Sequence, residues 1–265
     1  MESLTWKDVT NNIKMKKILK NNWLYGLLIL VTFSACNGNE QKYSINSVVL
    51  TKTSDAPLTY LLPSPDTEGK MSVEKAMANR RSQRRYQDRE VSAVQLSQIL
   101  WAAYGVTEPN TDRAFLRGGF RTAPSAGGLY PFDIYVAVGK VRGIEPGVYK
   151  FISEEHKIVQ MIDKDVRADL REAALGQAMV EEAPVVLVYS AIFSRMTGKY
   201  GDRGRERYVC IDLGHSAQNV YLQAEALRLG TCAIGAFVDR RIRSVLQLSE
   251  EEEPLYLMPV GYYVK

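Results

Sequence analysis

Residues 121–136 read RTAPSAGGLYPFDIYV. Five small or rigid residues, Pro124 to Gly128, run straight into Leu129-Tyr130-Pro131 and then into an alternating apolar stretch. A run such as Ser125-Ala126-Gly127-Gly128 cannot pack a core. It can bring main chain very close to something flat or anionic, because Gly and Ala place almost nothing in the way. Phe132–Val138 alternates apolar and polar positions as a strand does. The stretch reads as a close-approach turn feeding a strand, and the rest of the chain has to say what is approached.

The chain has 265 residues, 46% of them hydrophobic, which allows one or two domains and a sizeable core. The formal charge is +4. Residues 1–35 hold Lys7, Lys14, Lys16, Lys17 and Lys20 against Glu2 and Asp8, a net of +3, leaving +1 for residues 36–265. A nearly neutral body implies no nucleic-acid partner.

The first 36 residues read as an address. Met15-Lys16-Lys17 through Lys20 is a basic n-region, and Trp23–Phe33 is an apolar run short for a membrane span of about 20 residues. Phe33-Ser34-Ala35-Cys36 resembles a bacterial lipobox, with Phe33 where Leu is usual. The expectation is a lipid on Cys36 and a lipoprotein anchored at the cell envelope, facing the periplasm or exterior. Nothing in residues 1–14 resembles a targeting signal, so Met15 reads as an alternative start. Residues 37–70 then read as a tether, and 71–265 as the folded domain. Cys210 and Cys232 sit in apolar segments and read as two buried free thiols, with a disulfide as the alternative in an exported protein.

Ser72 is a candidate N-cap for a helix to Arg80, and Ser92-Ala93-Val94-Gln95 is a capping box for a second that Gly105 ends. Val148–Ile152 and Lys157–Ile162 suggest a hairpin. Asp165 reads as the cap of a helix to Leu175. Pro184–Phe193, rich in Val, suggests a buried central strand. Asp212–Leu229 is the longest helix, stopped by Gly230. Thr231–Val238 reads as a strand, Asp239 as the cap of a helix to about Leu248, and Leu255–Val264 as the last strand. Strands and helices interleave, which predicts one α+β or α/β domain with a mixed sheet.

A second unusual stretch is Asn79-Arg80-Arg81-Ser82-Gln83-Arg84-Arg85-Tyr86. Arg guanidinium is a natural phosphate fork and a Ser hydroxyl adds a donor; taken alone, the stretch reads sooner as a solvated charged turn. About 40 residues on comes Pro124-Ser125-Ala126-Gly127-Gly128-Leu129-Tyr130-Pro131. Further along stand Lys199-Tyr200-Gly201 with Arg203, Arg207 and Tyr208, then Asp212-Leu213-Gly214-His215-Ser216-Ala217-Gln218-Asn219, then Leu229-Gly230-Thr231-Cys232-Ala233-Ile234-Gly235-Ala236-Phe237, and finally Pro259-Val260-Gly261-Tyr262. In this order they resemble the FMN-dependent nitroreductase superfamily, in the form of its SagB-type branch of azoline dehydrogenases. The resemblance covers residues 72–265.

The resemblance implies an α+β fold, a three-layer α/β/α sandwich with a mixed, mainly antiparallel sheet, and FMN as cofactor. Arg80, Ser82 and Arg84 would meet the phosphate, ribityl or pyrimidine edge, with Arg81 a second phosphate contact or a surface charge. Pro124, Ser125, Ala126 and Gly128 would let the main chain approach the flavin, and Gly235 and Ala236, with Ile234 beside them at the cofactor, would offer backbone N–H near its N5 and O4. Lys265 is the one basic residue left after the last strand for the phosphate. Lys199 and Tyr200 match the branch's catalytic pair. A lysine acts as a base only where burial or neighbouring cations favour its neutral form, and Arg195 and Arg203 are close in sequence. Tyr130, Tyr200, Tyr208 and Tyr262 are candidates to line the cavity, and His215 reads as a packing residue. No His, Cys or carboxylate pair has metal-ligand spacing.

Three functional expectations follow from the resemblance. The first is a SagB-like dehydrogenase acting by hydride transfer at flavin N5 on a small-molecule or peptide substrate. The second is an NAD(P)H-dependent nitro or quinone reductase, and the third a flavin-binding scaffold at the membrane without turnover. A homodimer with the flavin between subunits is implied in each.

Overall fold

The computed structural model describes residues 49–51, 57–109 and 116–264. Residues 1–36 with Cys36, half of the tether and Lys265 lie outside the described residues.

An eight-stranded sheet forms the middle layer. Its strands are β1 (Val49–Thr51), β2 (Thr59–Leu61), β3 (Phe132–Val138), β4 (Gly147–Ile152), β5 (Lys157–Ile162), β6 (Val185–Ile192), β7 (Gly230–Thr231) and β8 (Glu252–Gly261). They run in the order β1-β2-β5-β4-β3-β6-β8-β7, every pairing antiparallel. A short parallel pairing, Val91–Ser92 with Val141–Arg142, lies apart from it.

Side chains alternate across the two central strands and so build two cores. Val185, Leu187 and Tyr189 of β6 pack on one side with α2 (Ala93–Tyr104) and α6 (Val209–Ala226), through Leu96, Ile99, Leu100, Leu213, Ala217 and Val220. Val186 and Val188 pack on the other with α3 (Arg167–Ala173), α4 (Met179–Glu182) and α7 (Asp239–Leu246), through Leu170, Val180, Ile242 and Leu246. The result is an α/β/α sandwich of the α+β class. Helix α1 (Val73–Asn79) is capped by Ser72, whose Oγ accepts from Lys75 N, and α2 by the reciprocal Ser92–Gln95 box.

Several sequence expectations need correcting. Thr59–Leu61 pairs with Val159–Lys157 inside the main sheet, and Gln98 holds Asp66 through both its amide atoms, so residues 57–70 belong to the domain rather than to a tether. Asp165 does not cap α3. Its carboxylate is drawn to the buried Arg167 guanidinium at 2.7 Å, although Oδ1 also accepts from Arg167 N. Val238 rather than Asp239 is the N-cap of α7. Helix α6 starts three residues before Asp212, entered through a wide π-type turn over Gly204–Tyr208, and Gly230 opens β7 instead of stopping the helix. Thr231–Val238 is a strand only at Thr231, with Ile234 bridged to Leu257 beyond it.

Candidate active site

The small-residue run forms one tight turn over Ala126–Gly128, just ahead of β3. Gly127 (φ 66°) and Gly128 (φ 67°) lie in the left-handed region, where a side chain is strained. Gly127 has a second reason to be glycine. A Cβ there would stand 2.6 Å from Tyr200 Oη and 3.0 Å from Lys199 Nζ. The turn and the Lys-Tyr pair, more than 70 residues apart in sequence, are thus in direct contact.

Both residues of the pair come from the last turn of α5 (Ser194–Tyr200). Lys199 is exposed and Tyr200 half-buried. The Tyr200 ring packs edge-on against Tyr208, centroids 4.8 Å apart at 71°, and Arg203 Nε donates to Tyr208 Oη at 3.0 Å. Of the two cations expected near Lys199, Arg203 is therefore committed to Tyr208. Arg195 forks onto Asp133 at 2.7 and 3.2 Å. Tyr130 is buried against Tyr104, and Tyr262 bonds Gln95 and carries Arg89 over its ring, so these two do not join Tyr200 and Tyr208.

The turn is tied down by a residue the sequence reading gave no role. Asp212, 3% exposed, accepts from Ser125 Oγ at 2.6 Å and from Ala126 N at 3.2 Å. Burial pushes its carboxyl above the ordinary range, more than these donors pull it down. Asp212 stood in a recognisable motif, but its partner lies 86 residues away.

A second polar group gathers on Tyr221, further along α6. Its Oη lies 3.2 Å from Ser82 Oγ and accepts from Ala233 N at 2.8 Å, while the Arg80 guanidinium sits 5.4 Å from its ring. Ser82 bridges Thr231, and Gln83 N donates to Thr231 O. The structure thus joins the Arg80 segment to the segment holding Ile234, Gly235 and Ala236. Gly235 and Ala236 are exposed, and Ala236 O accepts from Gln177. Arg81 turns back onto Ala78 O and Arg80 O at the end of α1, and Arg84 is exposed.

Two further expectations change. Cys210 is exposed and only Cys232 is buried, both as free thiols. His215 is exposed rather than packed. Among the described residues, no group of three or more His, Cys, Asp or Glu could hold a metal.

The residues fit a flavin nucleotide. Arg80 and Ser82 supply a cation and a hydroxyl for a phosphate, and Thr231 Oγ1, in the bridge to Ser82, is buried without a hydrogen-bond partner. Gly127 and Gly128 put no side chain on the turn, which suits close approach of the main chain to a flat ring.

Comparison with known proteins agrees. A protein of Methanocaldococcus jannaschii named as a nitroreductase is 48% identical over 197 residues, 74% of this chain and 93% of that one. The trifolitoxin-processing protein of Rhizobium leguminosarum is 28% identical over 133 residues, 48% of this chain and 35% of that one. The crystal structure of a nitroreductase from Ralstonia eutropha superposes with a TM-score of 0.65 at 29% identity, covering 83% of this chain and 99% of that one. The sequence pattern of the Nitroreductase family itself matches residues 77–262. With that match across most of the sandwich, the chain belongs to the nitroreductase family, whose members are flavin-binding oxidoreductases.

Proposed function

We propose that the chain is an FMN-dependent oxidoreductase working as a dehydrogenase of the SagB type, with Lys199 and Tyr200 as its catalytic pair. The observation that carries this reading is the contact of both residues with Gly127, in the turn whose small residues suit close approach to a flat ring. When bound, FMN supplies a two-electron hydride acceptor and donor. Lys199, as its neutral amine, removes a proton from the carbon next to the one that loses hydride, so substrate gives up one hydride and one proton; with Arg195 and Arg203 held by Asp133 and Tyr208, the burial that this form needs comes from the substrate seated over it. Tyr200, held edge-on by Tyr208, orients Lys199 Nζ beside it, 5.4 Å from its ring centroid. The Rhizobium relative, named for toxin processing, supports a peptide or small-molecule substrate.

A second reading, an NAD(P)H-dependent nitro or quinone reductase, is favoured by the 48% identical relative named as a nitroreductase. The test is the absorbance spectrum of purified protein with mass analysis of any released cofactor, followed by anaerobic mixing with donors. A flavin spectrum and the mass of FMN support both readings. Rapid bleaching by a thiazoline peptide selects the dehydrogenase, and bleaching by NADPH the reductase. Bound flavin that neither donor reduces leaves the scaffold. Colourless protein that takes up no added FMN removes all three.

The dimer expectation gains support from helix geometry. Asp212 and Tyr221 are nine residues apart on α6, which is about 14 Å of rise and about 900° of rotation, placing them on opposite faces. One flavin touching both the Ser125 turn and the Arg80 segment then needs two copies. A groove of about 660 Å³ lined by Met71, Val73, Val94, Trp101, Leu222 and Ala226 offers apolar surface for the second copy. A monomer by light scattering that keeps FMN would falsify this arrangement. The Cys36 lipid anchor remains part of the proposal, tested by palmitate labelling that Cys36→Ala abolishes.

A further inference from the structure

We infer that Asp212 is a positioning residue, which clamps the Ser125–Tyr130 turn in a strained form so that Gly127 meets Lys199 and Tyr200; this rests on the flavin reading above. Three observations carry it. First, the clamp is complete. The Asp212 carboxylate accepts from Ser125 Oγ at 2.6 Å and from Ala126 N at 3.2 Å, and Ser125 Oγ in turn accepts from Tyr130 N at 2.9 Å. One carboxylate thereby fixes both ends of the turn.

Second, what it holds does not rest there on its own. Gly127, Gly128 and Tyr130 (φ 48°) are all left-handed. Tyr130 is a bulky side chain in a region such residues avoid. Strain of this kind persists only where the surroundings over-determine the backbone.

Third, the clamp is an expensive way to cap a turn. Asp212 is 3% exposed, and no ion pair reaches it among the described residues. Its hydrogen bonds come from neutral groups, and the one titratable group acting on it through charge, His215, is exposed, so the carboxylate keeps most of its desolvation cost. Holding the fold alone needs no such charge. The raised carboxyl of Asp212 is in keeping with this. The clamped turn holds Gly127, where a Cβ would meet Lys199 Nζ and Tyr200 Oη.

The experiment uses the full chain loaded with FMN, comparing wild type with Asp212→Asn, Asp212→Ala and Ser125→Ala. Ser125→Ala breaks the relay to Tyr130 without touching the carboxylate, and it keeps the test alive if the Asp212 variants do not fold. FMN affinity is read by flavin fluorescence quenching, the flavin environment by visible circular dichroism, the midpoint potential by dye equilibration, and the clamp itself by amide exchange at Ala126 and Tyr130.

We expect faster exchange at both amides in each variant. We also expect at least a tenfold weaker FMN affinity in Asp212→Ala, smaller losses in Asp212→Asn and Ser125→Ala, and a changed visible spectrum and potential in all three. Unchanged exchange in Ser125→Ala and in any folded Asp212 variant overturns the clamp. Faster exchange with wild-type affinity, spectrum and potential overturns the positioning role and leaves a structural one. Wild-type protein that binds no FMN overturns the flavin reading instead, while the exchange data still judge the clamp.

Discussion

Asp133 and Asp212 are both buried carboxylates, 9% and 3% exposed, and both hold chain next to the small-residue turn. They differ in what faces them. Asp133 receives the Arg195 fork and Lys150 Nζ at 2.7 Å, with Arg117 at 3.6 Å. Burial pushes its carboxyl up, but hydrogen bonds and charge from Arg195 and Lys150 outweigh this and hold it at about 2. Asp212 has a hydroxyl and a peptide N–H instead, and its carboxyl ends up raised. At Asp212 the donors from Ser125 and Ala126, with the nearby His215, pull against burial without overcoming it, whereas the hydrogen bonds and charge of Arg195 and Lys150 overcome it at Asp133. The first site is made for stability, the second for geometry.

The largest effect that should separate them is Asp133→Ala. It leaves Arg195 and Lys150 facing each other without a counter-charge, and should cost about 3 kcal/mol in urea unfolding. A loss under about 1 kcal/mol would mean that water already screens the cluster.

The pH dependence comes next. The lowered native value of Asp133 gives stability that is present above the ordinary value of 3.8 and lost as pH falls toward about 2, on the order of 2 kcal/mol. Asp212 has the opposite sign. Its native value is raised, so its share of stability is present at low pH and lost as pH rises through the raised value. Melting temperature followed between pH 2 and 7 should lose its acid-side fall in Asp133→Asn and flatten on the upper side in Asp212→Asn. Identical profiles for the two variants would erase the distinction.

Lys150→Met should cost about 1 kcal/mol, because Arg195 still forks onto Asp133 and the side chain is 28% exposed. Arg117→Gln should be smallest, within about 0.5 kcal/mol, since its side chain is 44% exposed and its guanidinium is 3.6 Å away. A loss as large as that of Lys150→Met would make Arg117 a full partner of Asp133.

How much of this was legible depended on range. Caps lie within three residues of what they cap, so Ser72 and the Ser92–Gln95 box could be read directly. The hairpin of β4 and β5 and the buried β6 followed from pattern, and the ordered motifs announced the family. The Asp212 clamp was not legible, because its donors Ser125 and Ala126 lie 87 and 86 residues off in a loop. Cys210 was misread because Val209 and Ile211 flank it; on a helix Ile211, 46% exposed, shares its outer face, while Val209 turns inward. The π-type turn at Gly204–Tyr208 has no sequence signature to read, and it shifted the start of α6. β2 is three residues long and lay in a stretch without clear period.

The place of β8 couples two distant parts of the chain. It follows β7 in sequence, yet it sits between β6 and β7. The residues around its end also pin the Arg80 segment, through Tyr86 bridged to Tyr263, Gln87 N on Tyr262 O and Val264 N on Arg85 O. Peeling β8 from that end would therefore strip β7 of its neighbour and the Arg80 segment of its anchor in one event, so the two segments that Ser82 and Thr231 bridge should loosen together.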